Sequence, residues 1–145
     1  MKRFRFTLDP VLNWRSAQAD QENSALERLH LEQGKIQAAQ EQALEQERDT
    51  GSLLSLAQAV DGDELRQLAD YRAHLSKKSE DLQRREKECE ASVAEQREKC
   101  LDADRRRKLL EKLQKQQHTQ WVAQNNREMD ETASELFLSN WNRSQ

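Results

Sequence analysis

Apolar residues return along this chain at alternating steps of three and four. From Pro10 to about Arg48 they fall at Leu12, Ala19, Leu26, Leu29, Ile36 and Ala43, with Arg15, Glu22, Gln33 and Gln40 on the same stripe. That spacing marks a helix with one narrow apolar edge. From Glu64 to about Phe137 a heptad runs through Leu65, Leu68, Leu75, Leu82, Cys89, Val93, Cys100, Ala103 and Leu110, with Trp121 still in phase. Arg72, Ser79, Glu86, Gln96 and Arg107 take its polar slots. The register slips near Asn125, where Met129, Ala133 and Leu136 continue on a shifted stripe. Patterns this long without internal caps mean a coiled coil.

Turn chemistry divides the pattern in two. Asp9-Pro10 reads as an N-cap followed by the first helical residue, where proline's missing N–H is harmless. After that only Gly34 interrupts the first helix. The stretch DTGSLLSLAQAVDGDE, residues 49–64, holds the other two glycines, Gly51 and Gly62, and is the turn region. Within it, Ser52 to Val60 either forms a short helix or extends the first. Asp61 or Asp63 can cap the second helix, with Glu64 favourable near its positive end. We therefore expect an all-α fold: one coiled-coil domain over residues 1–145, with helix 1 at about 10–48, a turn region at 49–63 and helix 2 at about 64–138. Two long helices joined by a short turn make an antiparallel hairpin. The second helix, roughly 110 Å long at 1.5 Å per residue, should overhang its partner from somewhere after residue 105.

An antiparallel pairing brings the chain ends together. The chain has three Trp, three Phe and one Tyr. Phe4, Phe6, Trp14, Trp121, Phe137 and Trp141 would then gather at the open end, leaving only Tyr71 near the closed one. Two roles fit such a group. The rings can plug the open end against fraying, or they can anchor a partner, since aromatics and Arg dominate interface energetics.

Composition agrees with a rod rather than a globule. Charged residues make up 35 % and the hydrophobic set only 34 % of the 145 residues, too little for a thick core. Three Gly and one Pro argue against a disordered chain, and Ala, Leu, Glu, Gln, Lys and Arg are strong helix formers. Net charge is −3 with both signs closely mixed, so there is no global pull toward nucleic acid or anionic lipid. Cys89 and Cys100 on one helix would lie roughly 16 Å apart, too far for a disulfide, and read as reduced thiols. MKRFRF has no apolar core behind it, so no cleaved leader is expected. No apolar run approaches the roughly 18 residues of a membrane span.

Candidate chemistry is sparse. His30, His74 and His118 stand alone, and no HExxH, CxxC, phosphate loop or GxSxG is present. We expect no catalysis, no cofactor, no metal and no small-molecule substrate. Cys89 lies between Glu88 and Glu90, which would raise its pKa, and reads as a small seam hydrophobe. The run DADRRRKLLEKLQK, residues 102–115, is locally basic. It reads either as a solvated helix face or as Arg105, Arg106, Arg107 and Lys108 meeting an acidic protein surface. No aromatics interleave these charges and acids flank them, so nucleic acid is not the expected partner.

The opening FRFTLDPVLNWR, residues 4–15, resembles the start of the FliJ family of flagellar export proteins. The order of parts is similar too: a polar helix, a turn near one third of the chain, and a longer second helix. The tail LLEKLQKQQHTQWVAQNNREMDETASELF, residues 109–137, looks like that family's closing helix with its "D-E-x-A" segment, here Asp130-Glu131-Thr132-Ala133. The resemblance covers nearly the whole chain. It implies an antiparallel coiled coil similar to the central stalk of rotary ATPases, which hydrolyses nothing itself. It implies three partners: the hexameric flagellar export ATPase, the cytoplasmic domain of the membrane export gate, and export chaperones. It also implies a cytoplasmic protein peripherally associated with the inner membrane. The ATPase contact would then use Phe6, Leu8, Val11, Leu12, Trp14 and Arg15, together with Arg105, Arg106, Arg107, Lys108, Lys112 and Trp121. The gate contact would use Tyr71, Leu75, Lys78 and Leu82, with Leu54 and Leu56 as additions. The alternatives are the stalk-like protein of a virulence type III system and a purely structural, self-associating coiled coil.

Overall fold

The computed structural model describes residues 2–56 and 61–145. It contains two helices, α1 (Asp9–Leu56) and α2 (Gly62–Arg143), of 48 and 82 residues, and no strand among the described residues. They pack against each other in opposite directions, the second being longer, as in a hairpin. Residues 57–60, where the expected turn lies, are outside the described residues.

The helix ends differ from the sequence expectation in instructive ways. The first intrahelical bond runs from the Leu12 N–H to the Leu8 carbonyl, at 2.9 Å. Asp9 and Pro10 therefore occupy the first turn, with Leu8 in the cap position. The Asp9 carboxylate accepts from Gln114 Nε2 at 3.2 Å instead of capping, and its charge still favours the positive helix end. At the other end α1 runs past Arg48 through Leu56, which agrees, as far as the described residues go, with the alternative in which the stretch from Ser52 extends the first helix. Gly51 does not break it. One glycine costs a helix only about 1 kcal/mol, and on either side of it Thr50 is buried and Leu54 half-buried. Thr50 also donates to the Gln46 carbonyl at 2.8 Å. Asp61 stands just before helix α2; its carboxylate accepts from the Gly62 N–H at 2.7 Å and its carbonyl accepts from the Leu65 N–H at 3.0 Å. The helix ends at Arg143 rather than near residue 138.

The chain divides into two compact units, one made of Gln21–Cys100 and the other of Met1–Asp20 with Leu101–Gln145. In the first, Ala43, Leu75, Leu82, Cys89 and Val93 are buried, with Leu26, Leu29 and Ile36 half-buried opposite them. Leu75, at 1 % exposed, is the largest fully buried side chain. Polar layers interrupt this seam. Gln40 Nε2 donates to the Glu86 carboxylate at 2.8 Å. Gln96 Nε2 donates to the Glu22 carbonyl at 3.0 Å and to its carboxylate. Between these layers the Cys89 thiol points at the Leu29 carbonyl, 3.7 Å away. Burial begins at Leu68; Leu65 and Arg72, expected on the seam, are exposed.

In the second unit Phe6, Ala19 and Ala103 are buried, with Leu8, Leu12, Leu110, Leu113 and Trp121 half-buried. Here α1 is not the only element facing α2. Residues 2–6 are non-helical and enter α1 through a turn, the Asp9 N–H donating to the Phe6 carbonyl at 3.3 Å. Phe4, Phe6 and Leu8 are covered while Arg3, Arg5 and Thr7 face solvent, the period-two alternation of an extended strand. The overhang expected somewhere after residue 105 begins beyond residue 125. Half-buried positions on α2 continue to Asn125, and every residue beyond is exposed. From Asp9, which meets Gln114, back to Phe4, which meets His118 and Trp121, the chain start follows about two turns of α2.

Leu75→Ala should destabilise the protein by about 2–5 kcal/mol in urea unfolding. Gly34→Ala and Gly51→Ala, where an added Cβ meets nothing within 4 Å, should each stabilise it by about 0.5–1 kcal/mol. The Cys89 thiol is held above its ordinary pKa of 9.0 by burial, then by Glu32 and Glu90. In a Cys100→Ser background its alkylation rate should still be climbing above that pH. The stability that this thiol contributes is complete below the unfolded pKa and is lost as pH rises through the higher folded one.

Candidate partner-binding surfaces

The twelve side chains expected to meet an ATPase all fall in the unit that joins the two chain ends, but they play different parts there. Phe6 is 2 % exposed; its ring pins the N-terminal segment and presents nothing to solvent. Leu8 and Leu12 are half-buried on the same face. Val11 and Trp14 point outward, Trp14 at 57 % exposed. The half-buried Arg15 lays its guanidinium 4.6 Å from the Trp14 ring centre and donates to Gln18 at 3.2 Å. This cation–π contact orders an aromatic side chain that would otherwise be free.

Trp121 belongs to a different group. Phe4 meets the His118 ring edge-on at 5.0 Å and lies 5.9 Å from the Trp121 ring, with His118 and Trp121 6.0 Å apart. His118, which looks isolated in the sequence, is thus the middle of an aromatic trio. Phe137 and Trp141 do not join it. They stack on each other at 6.3 Å, on the part of α2 where every residue is exposed. The expected single cluster of six aromatics is therefore corrected to separate groups. The reason is the length of α2: it carries Phe137 and Trp141 several turns past the last residue that the N-terminal segment covers.

The basic run carries less free charge than its letters imply. Arg105 pairs with Asp102 at 3.7 Å, and Lys108 with Asp104 at 3.3 Å. Arg107 is half-buried, 2.6 Å from Asp104 and 3.7 Å from Glu111. All four pairs are one helical turn apart, a spacing at which opposite charges attract weakly. Among the described residues Arg106 and Lys112 have no ion pair, and both are exposed.

The side chains expected to meet a gate lie in the other unit. Leu75 and Leu82 are buried in the seam, whereas Tyr71 and Lys78 are exposed. Leu54 is half-buried and Leu56 exposed. Leu53 and Leu65 are also exposed, at 63 % and 50 %. The LLSL run at 53–56 carries that signal, since a seam helix can bury only some of three leucines in four positions. Alongside this unit an open groove is lined by Leu29, Ile36, Leu82 and Cys89. No group of three or more potential metal ligands occurs among the described residues. None of their helices is long and apolar enough to cross a membrane.

The family described as "Flagellar FliJ protein" matches residues 4–141. Neither a curated protein nor a solved structure matches the chain. With nearly the full length matched, and with two long helices packed against each other as that resemblance implied, the chain belongs to the FliJ family and is a component of the flagellar export apparatus.

Proposed function

We propose that this chain is a non-catalytic adaptor of flagellar export. It binds the hexameric export ATPase with the unit that joins its two ends, and it reaches the membrane export gate with the other. It works at the cytoplasmic face of the inner membrane and assists the cycling of export chaperones. The observation that carries the ATPase assignment is the exposed Trp14, held in place by Arg15. A large, preordered aromatic loses little entropy on docking, and such side chains are the usual energetic centres of interfaces. Val11 lies near it in sequence, and the unpaired Arg106 and Lys112 supply positive charge. Phe6, Leu8, Leu12, Arg107 and Trp121 hold this surface in shape from below. Arg105 and Lys108, each paired with an Asp, contribute less charge than Arg106. For the gate, Tyr71, Lys78 and Leu56 are the outward groups, backed by Leu75 and Leu82.

A binding function also fits the energetics. Helices this long owe their stability to packing, and this seam buries few large side chains. A partner that grips only the folded form stabilises it by mass action.

The experiment is ATP hydrolysis by the export ATPase of the same organism, with and without this protein. Stimulation or promoted ring assembly is expected. Trp14→Ala should weaken binding by about tenfold or more. Arg106→Glu with Lys112→Glu should slow association and flatten its salt dependence. Wild-type behaviour of both variants would remove the surface from consideration. Separately, ATPase at about a hundred times its Kd should stabilise this protein by about 2.7 kcal/mol, read as a rise in Tm; an unmoved Tm would speak for a rod that only associates with itself.

A further inference from the structure

Beyond Asn125 every residue of α2 is exposed, and this bare stretch has a shape of its own. Asp130, Ala133, Ser134, Phe137 and Leu138 line one open concavity. Trp141 stacks on Phe137 at 6.3 Å and continues the same face. At 3.6 residues per turn these six positions span an arc of roughly 140°. Glu128 and Glu135 fall outside that arc and Glu131 at its edge, so from residue 128 to 141 Asp130 is the one charged group within it. The face is uneven along its length. Ala133 and Ser134 are short and leave a recess, whereas Phe137, Leu138 and Trp141 project, each more than half exposed.

A recess and a projection on one face fit a copy of the same face when the two helices run antiparallel, the isologous arrangement of a two-fold dimer. A single two-fold axis, between residues 135 and 136, serves all six positions. It sets Phe137 of one copy against Ala133 of the other, Leu138 against Ser134, and Trp141 against Asp130. The two members of each pair lie on the same side of the contact. Polar groups match as well, since the indole N–H of Trp141 is a donor and the Asp130 carboxylate an acceptor. Charge selects the direction. Residues 128–135, EMDETASE, hold four carboxylates, and antiparallel pairing lays them beside residues 136–143, LFLSNWNR, which hold no acid and one Arg. A parallel pair would set each carboxylate level with its counterpart and face recess against recess. We propose that this face pairs with a second copy of the chain, antiparallel about residues 135 and 136. The contact covers roughly 18 Å of helix, well below a standard interface, so the dimer is weak and exchanges readily, with a Kd of roughly tens of micromolar. It is separate from the Trp14 surface assigned to the ATPase.

Sedimentation equilibrium of the full chain over a range of concentrations is the test. A monomer–dimer equilibrium is expected. Phe137→Ala with Trp141→Ala, which removes the projection, and Ala133→Arg, which fills the recess, should each weaken the dimer about tenfold or more. All three side chains are exposed, so circular dichroism of the monomer should be unchanged. Orientation is read by oxidation in a Cys100→Ser background. Asn126→Cys chains mixed with Ser144→Cys chains should form a mixed disulfide, whereas neither variant should cross-link with itself. A monomer at all concentrations would overturn the proposal, as would a dimer that survives both kinds of variant. Self-cross-linking of each cysteine variant would mean a parallel pair and overturn it equally. Loss of ATPase stimulation in the double aromatic variant, with a wild-type chain that stays monomeric, would give the face to the ring and leave the Trp14 assignment to its own variant.

Discussion

The antiparallel seam between α1 and α2 is the constraint on which everything else rests. Neither helix has a wide apolar face, and a long helix in water needs packing to persist. The seam meets that need with small side chains at close quarters. Ala19, Ala43, Cys89 and Ala103 are all buried, and their size lets the backbones approach. Leu75, Leu82 and Val93 supply the larger volumes. The polar layers do a different job. Gln40 with Glu86, and Gln96 with Glu22, are partly buried hydrogen-bonded pairs. A slip of the helices would leave these groups unpaired in a poorly hydrated place, which is unfavourable. Apolar layers hold the helices together, and polar layers define which residue faces which.

A second device operates where the chain ends meet. The first residues abandon helical periodicity: Phe4, Phe6 and Leu8 are covered in alternation, Phe4 by the His118 and Trp121 rings of α2. Two secondary-structure periods thus serve one apolar surface. The arrangement separates structural from presented groups within a few residues: Phe6 is enclosed, whereas Trp14 stands out and is braced by Arg15. The same separation holds in the basic run, where Asp102, Asp104 and Glu111 balance some cations and leave Arg106 and Lys112 unbalanced.

Much of this is readable from the letters, because a seam is a periodic object. Leu75, Leu82, Cys89, Val93 and Ala103 sit where the heptad puts them, and Arg15, Glu22, Gln33 and Gln40 share the inner stripe of α1 as the pattern requires. The failures arise where a local signal competes with a longer-range one. Gly51 reads as a turn residue, yet Thr50 beside it is buried and Leu54 half-buried, and one glycine is too weak a breaker to win. The alternation in FRFTL is a strand signal, but it is short and borders a long helical pattern, so its reach along α2 is hidden. Grouping the aromatics by chain end left out how far the overhanging end of α2 carries its last residues. Phe137 and Trp141 show the consequence, since α2 carries them past anything that could pack on them. Which exposed side chains meet which partner is not a periodic property, and pattern alone does not contain it.

The thinness of the seam has an evolutionary side. Only a handful of positions in each helix are enclosed, and substitutions on outward faces usually change stability by less than about 0.5 kcal/mol. Selection for folding therefore holds few sites, and it holds them by size and spacing rather than by identity. Lineages that keep the period can diverge almost everywhere else. What folding alone asks them to keep is a rhythm, and an outward residue held fixed against such drift would be one that a binding partner has reason to hold.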